Sequence, residues 1–136
     1  MYALSVGNPW AWGIIHGPKR IENRTWRTHY RGRLLIHASK SRQFLHDAWP
    51  SSEDPPNESA FVFGALIGQV EIIDCVPVAE VSEDPFASGP WCFVLSNPKP
   101  FEPIPWKGQV GLFRVPDEVV PMVSSMVSPS SKVSPT

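Results

Sequence analysis

The sequence predicts a mainly β protein with small helices, built as a barrel of five or six short strands. Three observations lead there. Sixteen Pro and nine Gly in 136 residues break long helices and suit strands joined by turns. Hydrophobic residues reach 42% against 18% charged, with seven Phe and six Trp, so the chain can build a core instead of remaining disordered. The apolar runs are short and punctuated by Gly and Pro. A chain of this length fits one self-sufficient domain, expected over residues 1–116.

Taken in order, residues 3–6 form a short apolar strand, and Asn8-Pro9 starts a helix over Trp10 to His16, because Asn accepts from free amide donors and Pro suits the first turn. Gly17-Pro18 ends it. Residues 19–26 alternate as a strand with Ile21 facing inward, and Arg33 to Ser39 make a second. Ser41 caps a short helix over 42–49, and the polar, Pro-rich run 50–59 is a loop. Phe61 to Ile73 is the longest strand, with Gly64 and Gly68 as bends of a curled sheet. Residues 77–90 are loop. Trp91 to Leu95 and Gln109 to Val115 are further strands, joined by a Pro-rich crossing at 98–106. A terminal helix is expected over 117–127 and a disordered tail over 128–136. A five-stranded oligonucleotide-binding barrel fits the same elements, and spacing does not separate the two.

Charge is unevenly distributed along the chain. Residues 1–43 carry eight basic side chains and the single acid Glu22, whereas residues 44–136 carry four basic and twelve acidic ones. The halves are +7 and −8 within a net charge of −1, an asymmetry that points to a polyanionic partner or to one basic and one acidic solvated face. The acidic half could alternatively serve as a contact surface for another protein. The start of the chain lacks a basic n-region, and the window Phe61 to Ile73 is too short for a bilayer, so no membrane association is expected. Cys75 and Cys92 stand outside any CxxC pattern, and His16, His29 and His46 lack ligand spacing. The expectation is a reduced, cytoplasmic protein with no metal and no cofactor. His37 is read as a hydrogen-bonded histidine of the barrel.

The chemistry is concentrated in Gly17-Pro-Lys19-Arg20-Ile-Glu22-Asn-Arg24. Strand alternation puts Arg20, Glu22, Arg24 and Trp26 on one side and Ile21 and Asn23 on the other. A carboxylate between two guanidinium groups orients their planar forks for bidentate recognition, and Lys19 at the turn can swing to either face. Arg20, Arg24, Arg27, Arg31 and Arg33 can meet phosphates, while Trp10, Trp12, Trp26 and Trp91 offer stacking faces.

These residues, with Leu4-Ser5-Val6, Pro9-Trp10-Ala11 and Tyr30-Arg31-Gly32-Arg33-Leu34-Leu35-Ile36-His37-Ala38-Ser39, closely resemble the ASCH domain, a relative of PUA domains. Its hallmark G-x-K-x-x-E-x-R is matched at Gly17, Lys19, Glu22 and Arg24. The resemblance runs from residue 3 to 115. It implies a PUA-like β-barrel with a cleft beside the hallmark, suited to RNA, DNA or a modified nucleoside. Ligand-binding candidates under it are Trp10, Lys19, Arg20, Glu22, Asn23, Arg24, Trp26, Arg31, Arg33 and Trp91. The family also includes a ribonuclease and a small amidohydrolase acting on N4-acetylcytidine through a Lys, a Thr and a Glu. Lys19 matches that Lys and Glu71 the Glu, while Glu22 stands where the subgroup has Thr. Lys19, Glu71 and Glu22 are therefore the catalytic candidates of an enzymatic alternative.

Overall fold

The computed structural model describes residues 1–50 and 56–119. Strands β1 (Tyr2–Val6), β2 (Ile21–Arg24), β3 (Gly32–Ala38), β4 (Ala65–Pro77), β5 (Trp91–Pro105) and β6 (Leu112–Arg114) form one sheet in the order β2-β5-β4-β3-β1-β6. Neighbours are antiparallel except β1 and β3, which run parallel. That parallel pair needs a crossover, and helix α1 (Trp10–Ile15) with β2 supplies it. The sheet is a curled half-barrel: β2 and β6 stand at its two edges without pairing to each other.

Strand β3 explains where the core lies. Leu34 and Ile36 join one buried cluster with Leu4, Ile14 and Phe93, while Leu35 between them joins another with Leu66, Phe101 and Phe113. Successive side chains of a strand point to opposite faces, so burial of both marks β3 as central. The curl comes from β4, whose pairing with β5 slips at three places, between Leu66 and Gly68, Gln69 and Glu71, and Ile72 and Asp74. At Gly68 a Cβ would lie 2.7 Å from Ile15 Cδ1 and 2.7 Å from the Lys99 carbonyl oxygen. Only glycine lets α1 and β5 approach β4 that closely.

The elements stand close to their expected places, with three main differences. The long strand begins at Ala65 and ends at Pro77, four residues later than its pattern suggests at both ends. Strand β5 runs through the proline-rich stretch to Pro105. Past Leu95, whose N–H still donates to the Arg20 carbonyl, its only strand partner among the described residues is β4, so prolines can occupy the unpaired side without losing a ladder bond. The segment 42–49 forms two successive turns instead of a helix, with Leu45 N–H donating to Arg42 and Asp47 N–H to Phe44. Phe44 lies against Gly7 and Trp49 stacks on Trp10, contacts that hold this segment off a helical course. Short 3₁₀ turns at Glu58–Ala60 and Val78–Val81 are further helical pieces, and Val119, the last described residue, is helical. The helix N-terminus works as expected in part: Pro9 takes the cap position, and the Asn8 side chain still accepts from Trp12 N–H at 3.1 Å. Residues 51–55 of the expected loop and everything after Val119, hence most of the expected terminal helix and all of the tail, lie outside the described residues. Among the described residues no helix is long and apolar enough to cross a membrane.

Candidate functional site

A cavity of about 910 Å³ opens where the half-barrel fails to close, between β2, the end of β1 and the loop before β6. Its charged floor comes from the stretch after α1. Lys19 is 3% exposed and Glu22 7% exposed. The Lys19 ammonium donates to the Ile21 carbonyl and stands 3.4 Å from Glu22 Oε1. It also lies 5.6 Å from the ring centres of Trp10 and Phe86. On the other side of the carboxylate, Arg24 Nε donates to Glu22 Oε2 at 3.0 Å, and Arg24 Nη2 lies 2.9 Å from the same oxygen. One carboxylate therefore holds two cations. Removal of such charges from water is costly, and the full set of partners around them offsets that cost.

Arg24 has a second task. Its Nη2 also donates to the Ser5 carbonyl at 2.9 Å. Ser5 lies one residue past the end of the β1–β6 pairing, which stops at Leu4. The guanidinium thus ties edge strand β2 to β1 across the gap left by the missing strand pairing.

Asn23 faces away from Glu22, as alternation predicts. Its Oδ1 accepts from the Ser88 and Gly89 amides, both at 2.8 Å, and its Nδ2 donates to the Phe86 carbonyl at 2.8 Å. This clamp fixes the loop that places Phe86 beside Lys19. Trp26 lines the cavity and packs edge-on against Phe93 at 5.2 Å.

Six of the sequence candidates therefore meet at the cavity: Trp10, Lys19, Glu22, Asn23, Arg24 and Trp26. The others do not. Arg20 precedes β2 and turns back to donate to the carbonyls of Ile14, Gly17 and Lys19, which completes the helix end. Glu71 is exposed on β4 opposite Arg33 and accepts from Asn97 Nδ2 at 3.2 Å. It does not line the cavity, so the expected pairing of Lys19 with Glu71 around one hollow is not found. Lys19 is itself engaged as a donor, a poor arrangement for a nucleophilic amine. Arg31 is exposed and sits 3.4 Å from Asp74. Trp91 stands at the start of β5 with the Arg27 guanidinium 5.3 Å from its ring centre. Of the expected stacking faces, Trp10 and Trp12 both pack against Trp49, at 5.8 and 6.2 Å. Trp10 and Trp26 are the two of these indoles that line the cavity, and Trp26 is the one not packed on another indole.

The opposite walls, Ser5 and Ser39, Phe44, Phe86 and the loop Gln109–Gly111, are not signalled by the sequence. Trp49, which anchors the aromatic cluster behind Lys19, is not signalled either. Nothing local marks these residues, since each reaches the cavity through a contact distant in sequence. His37 has the structural place expected of it. It is 2% exposed, its Nε2 lies 2.7 Å from the Trp106 carbonyl and its Nδ1 2.9 Å from Ser5 Oγ. A carbonyl can only accept, so Nε2 carries the proton and Nδ1 accepts from the serine hydroxyl. Burial pushes the imidazole below its ordinary value, the Trp106 bond opposing that shift in part. Burial likewise pushes the Cys92 thiol up. Among the described residues no cluster of three or more His, Cys, Asp or Glu is placed to hold a metal ion.

A curled six-stranded half-barrel with a largely buried Lys–Glu pair and its Arg partner in the opening defines a recognisable class of domain. The ASCH domain family model matches residues 4–105, and the chain belongs to that family. Activating signal cointegrator 1 from Homo sapiens is 29% identical over 111 residues, covering 72% of this chain and 19% of that protein. The Mus musculus protein of the same name is 28% identical over the same span. The chain thus corresponds to about a fifth of the length of these relatives. The crystal structure of ASCH from Zymomonas mobilis superposes with a TM-score of 0.59 at 16% identity, covering 93% of this chain and 95% of that one. A point mutant of the same protein gives 0.61. At that identity the likeness shows the fold.

Proposed function

We propose that the cavity binds a nucleotide unit of RNA or DNA, or a modified nucleoside, with Arg24 in its lining and basic residues outside it meeting the phosphates of the strand. The observation that carries this reading is the sequestered Lys19–Glu22–Arg24 cluster at the floor of a large cavity that also presents an indole. Hydrogen-bonding groups fixed in advance can hold a polar base edge without reorganising, and Trp26 offers a stacking face. Membership of the ASCH family supports the choice of ligand class. The phosphate contacts fall to Arg24, Arg27, Arg31 and Arg33. The Arg31–Asp74 pair is exposed, and such pairs contribute only about 0–1 kcal/mol, so a phosphate can displace the carboxylate. A cytoplasmic, reducing setting is part of the proposal, and it is supported by two cysteines that are both free and buried.

The test is a salt titration of oligonucleotide binding. With about four phosphates neutralised, log K falls against log salt with a slope near −3 to −4. A flat response removes the phosphate contacts, and no binding to any RNA or DNA at low salt removes the nucleic-acid reading; a modified nucleoside is then tested by itself, with retained binding of the nucleoside supporting that form of the proposal.

A further inference from the structure

The loop between β5 and β6 ends in a side chain that the fold itself does not use. Val110 is 96% exposed, whereas Val62 and Ile73, the other large apolar residues exposed among the described ones, are at 38% and 56%. A single exposed apolar side chain is ordinary. Val110 differs because it stands with Gln109 and Gly111 in the wall of the cavity described above. The flanks of the loop are fixed. Trp106 N–H donates to the Gly64 carbonyl at 3.1 Å, and the Trp106 carbonyl accepts from His37. Gly108 lies so tightly over the Ser5–His37 pair that a Cβ there would sit 2.8 Å from His37 Cε1 and 2.9 Å from Ser5 Oγ. At Gly111 the chain turns back with φ of +68° into open space, and β6 begins at the next residue. Both ends are held and the tip is presented.

We propose that this tip is a base-contacting element of the site, with Val110 packed on the ring or sugar of the ligand and the Gln109 amide bonded to its base edge. The proposal rests on the nucleotide reading above and adds the part of the ligand that meets this wall. A valine side chain has neither charge nor hydrogen-bonding group, so it gains nothing from a phosphate and gains from covering an apolar ring. An amide both donates and accepts, which matches the mixed pattern of a base edge. Because the flanks are already ordered, contact at the tip carries little ordering cost.

Binding of a short mixed-sequence single-stranded RNA, measured for the parent and for Val110→Ser across a salt series, tests this. The expected result is affinity about fivefold weaker in Val110→Ser, with thermal midpoint and salt slope unchanged, since the residue touches neither the core nor a phosphate. Affinity within twofold of the parent overturns the inference while leaving the nucleotide reading in place. A parent that binds no RNA or DNA at low salt removes that reading, and this inference falls with it.

Discussion

Glu22 divides its two oxygens between Lys19 and Arg24, and the consequences of losing it follow from that division. Glu22→Gln leaves two cations beside a neutral amide, one of them buried, and is expected to cost about 2–4 kcal/mol. Lys19→Met costs less, because the carboxylate keeps Arg24, and the double variant costs less than the sum of the two. Urea denaturation of the three variants checks the order. Burial lowers the folded-state value of His37 below its ordinary 6.5. Its stabilising contribution is then complete above about that pH, and it is lost as pH falls through the lowered value. Below about pH 6.5, His37→Gln is expected to show a flatter stability profile than the parent, as read from urea denaturation across pH. For the ligand, Trp26→Ala should weaken oligonucleotide binding by about 1–3 kcal/mol, the usual range for a base stacked on an aromatic ring. That Glu22 stands between cations is legible in the sequence, but alternation names Arg20 and Arg24 as those cations, whereas the structure pairs it with Lys19 and Arg24. The fate of Arg20 was not legible, because alternation assigns a side of a strand, and Arg20 stands before β2 begins.

At the scale of elements, Asn23 does for the 86–89 loop what a strand pairing would do elsewhere. Asn23→Ala removes its three backbone hydrogen bonds and is expected to cost about 2–3 kcal/mol. Faster amide exchange at Ser88 and Gly89 would accompany it, and unchanged exchange there would contradict the clamp. Gly68→Ala drives a methyl group toward the Lys99 carbonyl, which is backbone and yields poorly, so a loss of about 1–3 kcal/mol is expected. The strands themselves were readable because they alternate or run apolar between breakers. The extension of β5 through its prolines was not, since tolerance of proline depends on which edge lacks a neighbour. Nor was the unwinding of 42–49, where the pull on Phe44 and Trp49 comes from Gly7 and Trp10 far back in the chain.

For the molecule as a whole, the +7 and −8 halves of the sequence do not become two poles in space. Antiparallel pairing lays Arg33 opposite Glu71, and ion pairs join Arg31 to Asp74 and Arg42 to Glu58. The basic half is thus moderated by acids from its partner strand and a neighbouring turn. Removing the two acids on β4 with Glu71→Gln and Asp74→Asn is expected to tighten oligonucleotide binding at low salt about two- to threefold, with the gain fading as salt rises.

Arg24 joins the rim of the breach to its floor, and that gives the site a mechanical side. Any anion that takes the Nη2 proton for itself leaves the Ser5 carbonyl without its donor and undoes the one stitch described between β2 and β1. Were the proposed phosphate to draw that guanidinium away, the seam between the two strands would lose its tie and widen.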